Sequence, residues 1–230
     1  MIKNDELLIG IKDAFPIVLG YLPLGFAFGV LANQVGMTVF QAGLMSLMCF
    51  TGAGQYIAIG VMQAGGAIFT IIMANLLVNL RYLLFATSMV PHLKNVPPGL
   101  ATLLSYGLTD ETYAVAMTRY QNHEATSSYM AGLNITSHIG WISSSLGGAL
   151  LGTFISNTDK IGLNFALPAM YICLLVFVVG KRSDALVAGI SATLCLLFGF
   201  IFPSTMANMS NIIIATMIAA TLGVVIDERY

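Results

Sequence analysis

An all-α, polytopic membrane helical bundle is the fold class this sequence predicts, with about seven or eight transmembrane segments, a broken second helix and a candidate internal repeat. Three observations predict it. Only 8% of the 230 residues are charged and 57% are hydrophobic, whereas a soluble domain carries about 25% charge. Long apolar runs recur along the chain, each near the ~20 residues a helix needs to cross a hydrocarbon core. Gly, Pro and short polar clusters punctuate the runs, as short connections require. A net charge of −1 without a basic stretch points to no nucleic-acid partner.

The elements follow in order. In the opening stretch MIKNDELLIGIKDAF, Asp5, Glu6, Lys12 and Asp13 interrupt what would be the apolar core of a signal peptide. Ile2, Leu7, Leu8 and Ile11 fall roughly on one helical face, so residues 1–14 read as an amphipathic helix on the membrane surface that leads into the first span. The rest of the chain reads as one integral membrane domain. The first span runs from Phe15 to about Ala32. Pro16 suits its start and Pro23 predicts a kink. The second runs from Thr38 to about Met62 and is interrupted by TGAG; the third runs from Ala67 to Val90 and ends at PHLKNVPPG. The fourth runs from Leu100 to about Tyr120 and the fifth from Ser128 to about Ile155. The sixth, Leu163 to Val179, stops before GKRSD. Residues 185–226 carry no charge and exceed one helix, so Pro203 and its polar neighbours divide them into Ala185–Phe202 and Ile212–Ile226. A second reading has seven spans and one re-entrant element.

Lys and Arg gather on the cytoplasmic side of short loops. With the N-terminus inside, Lys3, Lys12, Arg119, Lys181, Arg182 and Arg229 face the cytoplasm and only Lys94 and Lys160 face out. The stretch starting GFAFGVLANQVG resembles the one starting GALLGTFISN, each with G-x-x-x-G before a polar break. Transporters are often built from repeats, although Gly is common in membrane helices in any case.

Arg81 stands alone in the run ANLLVNLRYLLF. About nine residues from the end of its span, it lies roughly 14 Å deep. An unpaired cation there costs at least about 3 kcal/mol, so a partner is expected. The next span supplies Asp110 and Glu111 in YGLTDETYA. If the third and fourth spans form an antiparallel hairpin, these acids lie at the depth of Arg81, and the pair is Arg81–Asp110 or Arg81–Glu111. The acid left over is a candidate proton carrier. Asn75 and Asn79 share a helix face that Arg81 does not. They serve another contact, either an interhelical bridge or a polar group of a cargo.

In CFTGAGQYIA, Gly52 and Gly54 can open the helix at mid-segment. A half-helix starting near Gln55 would aim its N–H groups at an anion such as a substrate carboxylate, with Gln55 and Thr51 adding hydrogen bonds. Close helix packing through the glycines is the competing explanation. His138 is a lone imidazole that either titrates or sits satisfied in the interior. Cys49, Cys173 and Cys195 are isolated in apolar runs, and no metal site or cofactor is expected. No Walker motif, H-E-x-x-H or G-x-S-x-G is present, so no enzyme is predicted.

The stretches GYLPLGFAFGVLA, TGAGQY, VNLRYLLFATSMVPHL and LTDETYAVA occur in this order. Together they resemble the AzlC family, the large subunits of branched-chain amino-acid exporters. The resemblance covers nearly the whole chain and is strongest from Phe15 to Tyr120. Tyr82 stands where the family is associated with His. The resemblance implies export of valine, leucine, isoleucine and analogues across the bacterial plasma membrane. It also implies a small multi-span AzlD-type membrane partner. The competing reading is a non-transporting membrane subunit whose ion pair serves assembly.

Overall fold

The computed structural model describes residues 4–94, 96–154, 181–203 and 210–227, with 162, 165, 168, 169, 172, 175, 176 and 179 between them. Every regular element among these residues is helical. The chain divides into two units, Met1–Leu167 and Pro168–Tyr230.

In the first unit α1 is Asn4–Gln34, α2 Val39–Met48, α3 Gly52–Gln63 and α4 Ile68–Met89, with a 3-10 turn at Val90–His92. α5 is Pro98–Tyr106, α6 Asp110–Tyr120 and α7 Ser127–Leu151. Threonines start four of them. Thr38, Thr51, Thr109 and Thr126 each accept a backbone N–H from the first turn that has no partner inside the helix. Gly36 (φ 86°) and Gly65 (φ 67°) turn the chain between α1 and α2 and between α3 and α4, in a conformation side chains rarely adopt.

α1 and α7 form the axis of this unit, and they run parallel. A Cβ at Gly140 would meet Val18, one at Gly148 would meet Phe26, and one at Gly152 would meet Val30. In each pair the glycine, in α7 or, for Gly152, immediately after it, lies 122 positions after its α1 partner, so the register holds along the interface. Small residues let two backbones approach this closely where no water-driven force holds them. The same packing explains why α1 has no boundary at residue 14. Gly10 lies against the backbone of Tyr129 and Leu133, and Gly132 against Leu7 and Ile11. The amphipathic stretch expected to lead into the first span is continuous with it in one helix, and both Pro16 and Pro23 sit inside that helix.

The axis serves as a ruler for the rest. α2 enters at the carboxyl end of the axis, where Gly43 faces Leu146, and descends until the carbonyl of Ser46 meets His138 Nε2. α3 turns back. Gly52 faces Trp141, while the Tyr56 hydroxyl donates to the Leu24 carbonyl and its ring meets Phe28. α2 and α3 thus make a helical hairpin with both outer ends at the carboxyl end of the axis.

α4 then descends the full height. It passes Gly54 at Asn75, Thr51 at Asn79 and Asp110 at Arg81. Ser88 meets Tyr113, and the His92 ring lies 5.4 Å from that of Tyr120. Tyr120 closes α6 beside Arg119, which pairs with Glu6 at the amino end of the axis. His92 is therefore at the amino end too. Six residues to Pro98 reach at most about 20 Å, less than the ~37 Å rise of α7. So α5 starts at the amino end, and α5 and α6 form a second hairpin that enters from the opposite end to the first.

Two sequence expectations are corrected here. The fourth span, Leu100–Tyr120, is not one helix, because Gly107–Thr109 separate α5 from α6. Nor is it antiparallel to the third span at the charged residues: α4 and α6 run parallel, 81 to 110, 88 to 113 and 92 to 120. Lys94, two residues after His92, falls at the end of the unit that holds Glu6 and Arg119, not at the far side.

In the second unit α8 is Arg182–Ile201 and α9 is Ser210–Asp227. They are antiparallel, with Gly223 against Val187 and Asn211 Nδ2 on the Cys195 carbonyl at 3.4 Å. They cover the stretches expected as the seventh and eighth spans, Ala185–Phe202 and Ile212–Ile226, although in the last only the shorter apolar helix Ile214–Val224 stands out. Most of the sixth, Leu163–Val179, lies outside the described residues, as does most of the second copy of the candidate repeat. Among the described residues, Asp5–Gln34, Ile68–His92 and Arg182–Ile201 are long and apolar enough to cross a membrane.

Candidate functional site

The tips of the two hairpins meet about halfway along α1 and α7. There the carboxyl ends of α2 and α5 and the amino ends of α3 and α6 converge. A helix carries about half a positive charge at its amino end and half a negative charge at its carboxyl end, so the centre is strongly polarised inside an apolar unit.

Arg81 Nη2 lies 2.9 Å from Asp110 Oδ2, with side chains 27% and 18% exposed. Asp110 is the first residue of α6, where a carboxylate also opposes the positive helix end. Of the two pairings the sequence left open, the structure contains Arg81–Asp110. Glu111 faces the other way and accepts a hydrogen bond from the Tyr21 hydroxyl at 2.8 Å. The same hydroxyl is 2.7 Å from Thr109 Oγ1, the cap of α6.

On the first hairpin, Thr51 caps α3 and donates its hydroxyl to Asn79 Oδ1 at 2.8 Å. Gly54 lies under the Asn75 amide, where a Cβ would collide with it. The asparagines of α4 thus hold the first tip while Arg81, on another face, holds the second.

Gln55 differs from the sequence expectation. α3 begins at Gly52, not at Gln55. The Gln55 amide is fully buried, donates to Ser46 Oγ at 3.0 Å and accepts from Trp141 Nε1 at 2.7 Å. It joins α3 to α2 and α7 rather than facing the ion pair. Gly52 provides room for the Trp141 ring edge. The ring of His138 stacks on Phe50 at 4.3 Å and lies 5.8 Å from that of Tyr106, so it sits between the two tips.

Sequence reasoning missed Tyr21. It is 5% exposed, and its ring stands edge-on to Trp141 at 5.2 Å and Phe50 at 6.2 Å. Through hydroxyl and ring it touches both tips. The available signal was a phenol in the apolar run GYLPLGF, since a buried Tyr hydroxyl needs a partner. A second charged cluster was also missed: Glu6 takes Arg119 Nη2 on both oxygens at 3.1 Å, and Asp13 accepts the Tyr129 hydroxyl at 2.8 Å. It ties α1 to the far end of α6.

This architecture defines a class: an all-helical membrane protein whose interrupted helices enclose an ion-paired centre at half height. The chain belongs to the AzlC protein family, which matches residues 16–155. It is 37% identical to a membrane protein of Helicobacter pylori (strain ATCC 700392 / 26695), over 74% of this chain and 75% of that protein. It is 26% identical to the inner membrane protein YgaZ of Escherichia coli (strain K12), over 73% and 71%. To the branched-chain amino acid transport protein AzlC of Bacillus subtilis (strain 168) it is 25% identical, over 90% and 85%. No solved structure matches the chain.

Proposed function

We propose that this chain, residues 1–230 as one transport domain, is the large subunit of a secondary exporter of branched-chain and other hydrophobic amino acids. It acts in the bacterial plasma membrane with a small multi-span AzlD-type subunit, and protons exchange at the Asp110–Glu111 pair. The observation that carries this reading is the meeting of two hairpin tips around Arg81, Asp110, Glu111 and Tyr21.

Each hairpin arm has 9 to 12 residues. At about 1.5 Å per residue that is roughly 14–18 Å, half of a ~30 Å hydrocarbon core. In this reading α1, α4 and α7 cross the bilayer, and the hairpins are re-entrant elements reaching its middle from opposite faces. Interrupted helices at mid-membrane are where transporters bind cargo. An amino-acid zwitterion needs a carboxylate site, an ammonium site and an apolar wall. The amino end of α3 beside Thr51 suits the carboxylate, and Glu111 or Asp110 the ammonium or a proton. The relative named for branched-chain amino acid transport supports the cargo class.

The test is export of labelled leucine and methionine from cells, with and without the small membrane protein, across a varied proton gradient. Asp110→Asn and Glu111→Gln are expected to abolish export while the protein still inserts. Normal export by both variants would defeat the assignment.

A further inference from the structure

We propose that the tip of the α5–α6 hairpin binds a compact monovalent cation, Na+ by its chemistry, on Asn134 Oδ1, Ser137 Oγ and the negative end of α5. The site stands as a binding site without the transport reading; its use as a coupling ion rests on that reading.

Both oxygens are buried and have no hydrogen-bond partner among the described residues. Asn134 is 5% exposed and Ser137 is 0% exposed. Orphaned acceptors this deep destabilise a fold unless something meets them. Asn134 points at the tip. Its Nδ2 donates to the Leu104 carbonyl at 2.8 Å, in the last turn of α5, which fixes the other end of the amide as the oxygen. Ser137 lies one turn further along α7, next to His138, whose ring meets Tyr106 of the same α5 turn. The carboxyl end of α5 adds negative potential, and transporters coordinate Na+ with half-helix carboxyl ends and unwound carbonyls.

The donor set names the ion class. An amide oxygen and a hydroxyl are neutral and hard, so they suit a monovalent cation. Ca2+ and Mg2+ sites are built on carboxylates, and the nearby acids Asp110 and Glu111 are engaged by Arg81 and Tyr21. Softer metals want His and Cys, and no cluster of three such ligands occurs among the described residues. The packing is also tight: a Cβ at Gly107 would lie 2.5 Å from Asn134 Cβ. That excludes a cargo ammonium carrying its side chain and leaves a bare ion or a single water as occupant.

The experiment uses the purified full chain, titrated with NaCl, KCl or N-methylglucamine chloride at constant ionic strength. Trp141 is the sole tryptophan and lies one turn beyond Ser137, so its fluorescence reports the site. A saturable response to Na+ alone is expected, with a thermal midpoint that rises with log Na+ concentration. Ser137→Ala should fold, since it deletes an orphaned hydroxyl without adding bulk, and should weaken Na+ binding at least tenfold. Ser143→Ala, which removes a hydroxyl that donates to the Gly140 carbonyl of its own helix, should bind Na+ as before. Identical traces in all three salts, or unchanged affinity in Ser137→Ala, would overturn the proposal and leave water as the occupant. Because the readout is binding, a chain that moves no amino acid still decides the site.

Discussion

The Tyr21 phenol performs two separable tasks. Its ring packs on Trp141 and Phe50, and its hydroxyl bonds Glu111 and Thr109. Tyr21→Phe removes only the second. A hydrogen bond to a charged group contributes about 1.5–3 kcal/mol, and a kcal/mol shifts the thermal midpoint of a chain this size by about 2–4 °C. The variant is therefore expected to fold, with a midpoint lowered by no more than about 12 °C and unchanged Trp141 emission. Leucine export should drop at least tenfold, because Glu111 loses the donor that fixes it at the tip. Full export by Tyr21→Phe would show that the hydroxyl is structural. The residues that composition does reveal are the charged ones. Arg81 needs an acid wherever the chain folds, so its pairing with Asp110 was legible as one of two choices. Tyr21 and Gln55 were not, because the partners of a neutral polar group depend on packing that no short stretch of sequence contains.

At the scale of elements, the α1–α7 interface and the start of α6 carry separate demands. Gly147 and Gly148 are neighbours on α7 with opposite surroundings: a Cβ at Gly148 would strike the Phe26 backbone, while one at Gly147 meets nothing within 4 Å. Gly147→Ala should be neutral or stabilise by up to about 1 kcal/mol through helix propensity. Gly148→Ala should push the two helices apart and lower the thermal midpoint by several degrees, as overpacking by about 1–3 kcal/mol does. Equal midpoints would argue against the parallel register.

Thr109 is the cap of α6 and exchanges bonds with Thr112 and Tyr21. Thr109→Ala should cost about 1–2 kcal/mol and speed hydrogen exchange at the first turn of α6 without affecting α7. Thr109→Ser should restore protection. Uniform loosening of the whole chain would contradict a local role for the cap. The long helices were legible because apolar runs of that length have few alternatives. The glycines of TGAG pointed to an opening of the helix there, but Gly52 and Gly54 lie inside α3 and the chain leaves the helix just before them, at Cys49–Thr51. The interruption at Gly107–Thr109 was not legible, since GLT between apolar stretches also suits a continuous helix.

For the whole molecule, the direction of each hairpin matters most, and hydropathy is blind to it. A segment of about 22 apolar residues with a central break has the same profile whether it crosses or turns back. Parity links the two cases: α1 and α7 are parallel, so the α2–α3 and α5–α6 segments both cross or both return. The pairing of His92 with Tyr120 and of Arg119 with Glu6 favours return. Return gathers Lys94 with Arg119 at the amino end of the axis, the clustering of Lys and Arg that orients membrane proteins. The two topologies invert the sidedness of two loops. With Cys49, Cys173 and Cys195 replaced by Ser, Ala64→Cys in the α3–α4 loop should react with an impermeant thiol reagent added outside intact cells. Lys94→Cys should stay unlabelled until the inner face is exposed, as should Gln121→Cys between α6 and α7. Labelling of Lys94→Cys from outside together with protection of both Ala64→Cys and Gln121→Cys would mean that both segments cross. The hairpin tips could not then approach the centre from opposite faces, and the site at Arg81 and Asp110 would need another account.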